Sequence, residues 1–80
     1  MEKNKIIDQL TEIFKTVFNE PKLVITEDLS ADHIESWSSL THMTMISEVE
    51  RFFDIQFKLK ELKKLNTVGD LIKAIEQKTQ

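Results

Sequence analysis

The sequence predicts a small all-α fold: three main helices plus one short helix, with a long loop between helices 1 and 2. Three observations point there. Apolar residues recur in steps of three and four over much of the chain, which lines them up on one helix face. One glycine and one proline in 80 residues are too few for a turn-dense β sandwich or a Gly-rich phosphate loop. There is no cysteine, so no disulfide or Cys zinc site staples the chain. Its core alone must hold it, which favours a local, helical architecture.

The first helix is expected from about Lys3 to Phe18. Ile6, Ile7, Leu10, Ile13, Phe14, Val17 and Phe18 form its stripe. Asn19-Glu20-Pro21 ends it, because the residue before proline is biased away from helical angles. From Lys22 to Ser36 no period is visible. A loop this long inside a compact domain is usually functional. Leu23, Val24, Ile25, Leu29 and Ile34 are expected to stitch it to the core. Val24-Ile25-Thr26 is rejected as a strand, since a lone strand has no partner to pair with.

The second helix opens at Ser38 as its N-cap, with Ser39 as its first residue, and runs to Phe53. Asp54-Ile55-Gln56-Phe57 leaves it in extended form. Leu59, Leu62 and Leu65, within Lys58 to Leu65, suffice for one or two turns. Thr67-Val68-Gly69-Asp70 resembles a capping box with Asp in place of Glu or Gln. It opens a last helix with Val68, Leu71, Ile72 and Ile75 inside.

The length gives one domain over residues 1–80. Eleven basic and fourteen acidic side chains leave a net charge of −3, a poor basis for sequence-independent nucleic-acid binding. No apolar run approaches the ~18 residues of a transmembrane helix, and no signal-peptide block follows Met1. The chain is expected to be cytoplasmic, monomeric and complete from that Met.

Helix 2 carries two apolar stripes. With Ser39 at zero and 100° per residue, Met45, Ile46, Val49 and Phe53 fall between about 240° and 340°, an arc for the core. Leu40, Met43 and Ser47 fall between about 40° and 100°. A two-layer bundle does not readily bury both arcs, so the second is expected at the surface as a partner-contact face, where methionine adapts to several partners. Harmless exposed apolars are the bland alternative. Charge is uneven as well. Residues 23–57 hold seven acids against Arg51, a net −6, whereas residues 58–64 are net +3. An acidic middle attracts basic patches on partners; an ordinary solvated face would look the same.

At Trp37-Ser38-Ser39-Leu40, opening a helix after a loop that contains Asp28-Leu29, the chain resembles the acyl carrier protein family. Phe53-Asp54-Ile55, Phe57, the short helix, Thr67-Val68 and Asp70-Leu71-Ile72 follow the same pattern, so the resemblance spans about Lys5 to Lys78. It implies a non-enzymatic carrier. A phosphopantetheinyl transferase would join 4′-phosphopantetheine from coenzyme A to the oxygen of Ser39. The thiol of that arm would hold acyl or aminoacyl groups as thioesters, supplying the sulfur that the chain lacks. A loading ligase and a downstream acyl-transferring or condensing enzyme are the further partners implied. Trp37, Leu40, Met43, Ser47 and Glu50 are the expected partner-contact residues.

Two departures from the family pattern bear on partners. Ser38 stands where an Asp is usual; it caps a helix nearly as well but brings no charge. Thr44 and Arg51 stand where fatty-acid carriers commonly have acids. The resemblance therefore implies a specialised, stand-alone carrier. An unmodified interaction module of the same fold, or an aminoacyl or peptidyl carrier, is the alternative.

Other chemistry is weakly supported. Ser39 and His42 are three apart and could approach on a helix, but a nucleophile and base also need an orienting group, an oxyanion site and a pocket. His42 falls near 300°, on the core side; a partly buried residue and the mouth of a pocket are both open readings. His33 and His42 with Asp32 and Glu35 lack a structural zinc spacing. Trp37 fits equally an anchor for the loop and an aromatic partner contact.

Overall fold

The computed structural model describes residues 2–79. In order these form α1 (Lys3–Val17), a 3₁₀ turn (Ala31–His33), α2 (Ser39–Phe53), α3 (Leu59–Leu62) and α4 (Val68–Lys78). The fold is the expected helical bundle, with α1 packed against both α2 and α4.

The period-3.6 stripes face inward. Ile6, Leu10, Ile13 and Phe14 of α1 meet Met45, Ile46, Val49 and Phe53 of α2 and Val68, Leu71, Ile72 and Ile75 of α4 in one core. No charged or polar residue is buried with them among the described residues. The second arc of α2 stays outside: Leu40 is 79% exposed and Met43 48%. Phe52 is also half exposed at 53%, edge-on to Phe53 with ring centroids 5.0 Å apart.

Helix ends differ from expectation in detail. α1 stops at Val17, with Phe18 as its cap, one residue short of the expected end. The stop signal is Asn19 rather than Pro21. Asn19 sits at φ 55°, and the Glu20 N–H donates to the Lys15 carbonyl at 3.0 Å. That is the left-handed closure that spares the last carbonyls. Asp54, at φ 56°, closes α2 the same way, with Ile55 N–H on the Glu50 carbonyl at 3.1 Å. The short helix is a single turn. Leu65 is buried and Leu62 half-buried, but Leu59 is 73% exposed and serves no core.

The long loop is fastened, and the fastening lies at the start of α4. Val68 N–H donates to the Leu29 carbonyl (2.9 Å) and Gly69 N–H to the Glu27 carbonyl (2.8 Å). Two donors that a helix start leaves unpaired are thus satisfied by the loop. A Cβ on Gly69 would lie 3.0 Å from the Glu27 oxygen, so this close approach favours glycine. Thr67 and Asp70 form the expected capping box beside it. Leu23, Ile25 and Leu29 pack on the core from the loop, and Ile34 is buried in it. Val24 is 77% exposed, and no strand forms there. The one sheet-like feature among the described residues is an isolated bridge between Ser30 and Thr67.

Candidate functional site at the start of the second helix

The junction of loop and α2 is built by three short polar side chains. Ser38 is the N-cap; its Oγ accepts from the Thr41 N–H (3.3 Å), and Thr41 Oγ1 accepts from the Ser38 N–H (2.7 Å). Thr41 thus does the work of the usual Glu or Gln in a capping box. Its own hydroxyl donates to the Ser36 carbonyl at 2.7 Å. Ser36 in turn donates from Oγ to the Phe18 carbonyl at 2.8 Å, tying the junction to the end of α1. Ser38 was legible as the N-cap; Thr41 as its partner in a box, and the long-range Ser36 bond, were not read from the sequence.

Trp37 anchors this junction from below. It is buried, near-parallel to Phe18 (centroids 5.2 Å, 28°) and edge-on to Phe14 (5.3 Å, 80°). At 7% exposed, Trp37 suits the anchor for the loop, one of the two roles expected of it. Two aromatic rings, Phe14 of α1 and its cap Phe18, pack against it. Its indole Nε1–H donates to His42 Nδ1 at 2.9 Å, with the two rings 13° from coplanar. His42 is half-buried, and burial holds its imidazole below the ordinary histidine pKa.

Ser39, the first residue of α2, is exposed. Its hydroxyl makes no hydrogen bond among the described residues, because the neighbouring Ser38 and Thr41 already complete the cap. N–H groups of a first helical turn lack intrahelical acceptors, and the helix dipole favours an anion there. Beside Ser39 runs an open groove of about 440 Å³, lined by Trp37, Ser38, His42, Met43, Leu62, Lys63, Leu65 and Asn66. An exposed, unengaged serine at a helix start, with space beside it, fits an anionic phosphodiester.

Of the remaining expected contact residues, Leu40, Met43 and Ser47 lie exposed along α2. Glu50 does not join them as a free carboxylate. It is half-buried, and its Oε2 accepts the Phe57 N–H at 2.8 Å, which pins the segment after α2. Glu48 is paired with Arg51, so α2 shows little uncompensated acidity. Ser39 and His42 share no hydrogen bond among the described residues, and the ring's Nδ1 is taken by Trp37. That is no nucleophile–base arrangement. His33 serves Ser30, accepting its N–H at 3.1 Å. No three His, Cys, Asp or Glu among the described residues group to hold a metal ion.

Residues 8–75 match the family model described as phosphopantetheine attachment site. The chain belongs to the acyl carrier protein family. An acyl carrier protein of Streptococcus thermophilus (strain CNRZ 1066) is 38% identical over 80% of this chain and 97% of its own length. One from Streptococcus pyogenes serotype M3 is 32% identical over 94% and 97%. The solution structure of the holo acyl carrier protein from Geobacter metallireducens superposes with a TM-score of 0.85 at 43% identity, covering 90% of this chain and 83% of that one. As in its family, the prosthetic group is covalently attached 4′-phosphopantetheine; acyl carrier proteins are carriers and in general interact with a phosphopantetheinyl transferase and acyl-handling enzymes.

Proposed function

We propose that Ser39 bears the 4′-phosphopantetheine arm and that this acyl carrier protein shuttles acyl groups on it. The arm's terminal thiol supplies the thioester chemistry. The chain's residues present, orient and admit partners to that arm. The observation that carries the reading is Ser39 itself: exposed, unengaged, first in α2 and held in place by the Ser38–Thr41 box and the buried Trp37. Leu40, Met43 and Ser47 form the surface that the transferase, a loading ligase and a consuming enzyme share.

The cargo is an acyl group handled by a specialised enzyme set, in a cytoplasmic, monomeric carrier. What supports specialisation is the surface of α2, where Thr44 and Arg51 replace acids and Glu48 and Glu50 are engaged. No helix among the described residues is long and apolar enough to cross a membrane. The test is intact mass after incubation with coenzyme A and a broad-specificity transferase. One phosphopantetheine increment on the wild type and none on Ser39→Ala is the expected result. No increment with several transferases, including on Ser38→Asp, would favour an unmodified interaction module.

A further inference from the structure

The groove beside Ser39 holds a second arrangement, built on His42. Trp37 Nε1 can only donate, so its 2.9 Å bond makes His42 Nδ1 the acceptor. A neutral imidazole with Nδ1 accepting carries its proton on Nε2. Nε2 has no hydrogen-bond partner among the described residues. No buried side-chain nitrogen or oxygen among them lacks a partner, so Nε2 reaches solvent. Trp37 is itself locked between Phe14 and Phe18, which makes the tautomer a property of the fold.

His42 is one turn beyond Ser39 and lines the same groove, on neighbouring positions of one helix face. The charged side chain lining that groove is Lys63, exposed and without an ion-pair partner among the described residues; Asn66 adds an amide, and no carboxylate lines it. Donors without acceptors on a groove wall suit a ligand that is all acceptor, as a phosphodiester is.

We propose that His42, with its proton fixed on Nε2 by Trp37, is a positioning residue for the phosphodiester on Ser39, donating to a phosphate oxygen from one wall of the groove while Lys63 supplies charge from the other. The inference rests on Ser39 being the attachment site. Its effect is to bias the start of the arm toward the α3 side and to restrict the directions from which a partner meets it.

The test uses nitrogen-15-labelled wild type, apo and holo, with mass confirming conversion. In the apo protein the ring nitrogens of His42 should report protonated Nε2 and bare Nδ1. On conversion the Nε2–H signal should shift while Nδ1 keeps its bond to Trp37. The phosphorus-31 resonance of the holo protein should differ from that of the same protein unfolded in urea. His42→Phe, which keeps a ring at the position, should move it toward the unfolded value. An unchanged His42 Nε2 signal between apo and holo overturns the proposal, as does a phosphorus resonance indifferent to His42→Phe. A protein that gains no mass at Ser39 overturns the attachment reading as well, so the two failures are told apart by mass alone.

Discussion

Single side chains at the start of α2 carry distinct loads. Removing the acceptor of a buried indole leaves its N–H unsatisfied, which costs about 1–3 kcal/mol. His42→Ala should therefore destabilise by that order, measured as a lower denaturation midpoint at constant slope, although His42 is only half-buried. The pH dependence has a definite sign. Burial lowers the folded pKa of His42 below the ordinary value of about 6.5, so the folded state favours the neutral ring. This contribution is fully present above about pH 6.5 and is lost as pH falls through the lowered folded value. Thermal melts between pH 7.5 and 5 should show the loss in the wild type and a smaller one in His42→Gln. Equal pH slopes would contradict the assignment. At Ser38 the expectation is different: Ser38→Asp preserves the cap and should leave stability within about 0.5 kcal/mol, while changing the rate at which a transferase modifies the protein.

At the scale of elements, the clasp between the long loop and α4 is the joint on which the fold turns. A glycine inside a helix is ordinarily improved by alanine, by up to about 1 kcal/mol. At Gly69 the new Cβ meets the Glu27 carbonyl at 3.0 Å and its Cβ at 3.3 Å, against backbone already committed to a hydrogen bond. Gly69→Ala should thus destabilise by about 1 kcal/mol despite the propensity gain. Hydrogen exchange should show lost protection at Gly69 and Val68 before the rest of α4; a more stable variant would refute the clasp. The helices themselves were legible, because stripes such as Ile6, Leu10, Ile13 and Phe14 need only periodicity to be read. The clasp was not, because it joins residues some forty apart through backbone groups that every residue shares. The same holds at the site. Ser38 and Ser39 could be placed by local capping rules. The fates of Trp37 and Glu50 depended on partners in other segments, Phe18 and Phe57, which spacing does not report.

For the whole molecule, stability and recognition are kept apart. Seventeen apolar side chains make the core, and no polar group is buried with them among the described residues. Leu40 and Met43 lie outside it, so Leu40→Ser with Met43→Ser should leave the melting midpoint nearly unchanged. The pair should lower kcat/KM for modification by the transferase about tenfold, equivalent to about 1.4 kcal/mol of lost partner contact. Unaltered modification would mean that this face is not where the transferase docks. Charge is segregated as well, with acids along the loop and lysines from Lys58 to Lys64, so partner association should be salt-sensitive.

On the proposed function Ser39, and not its capping neighbour, carries the arm. Ser38 has its hydroxyl in the cap and Ser39 does not. The most direct measurement is fragmentation mass spectrometry of the modified peptide that contains both serines. The phosphopantetheine increment is expected on fragments that include Ser39 and not on those ending at Ser38. An increment on Ser38, or an unmodified peptide from protein fully exposed to transferase and coenzyme A, would contradict it.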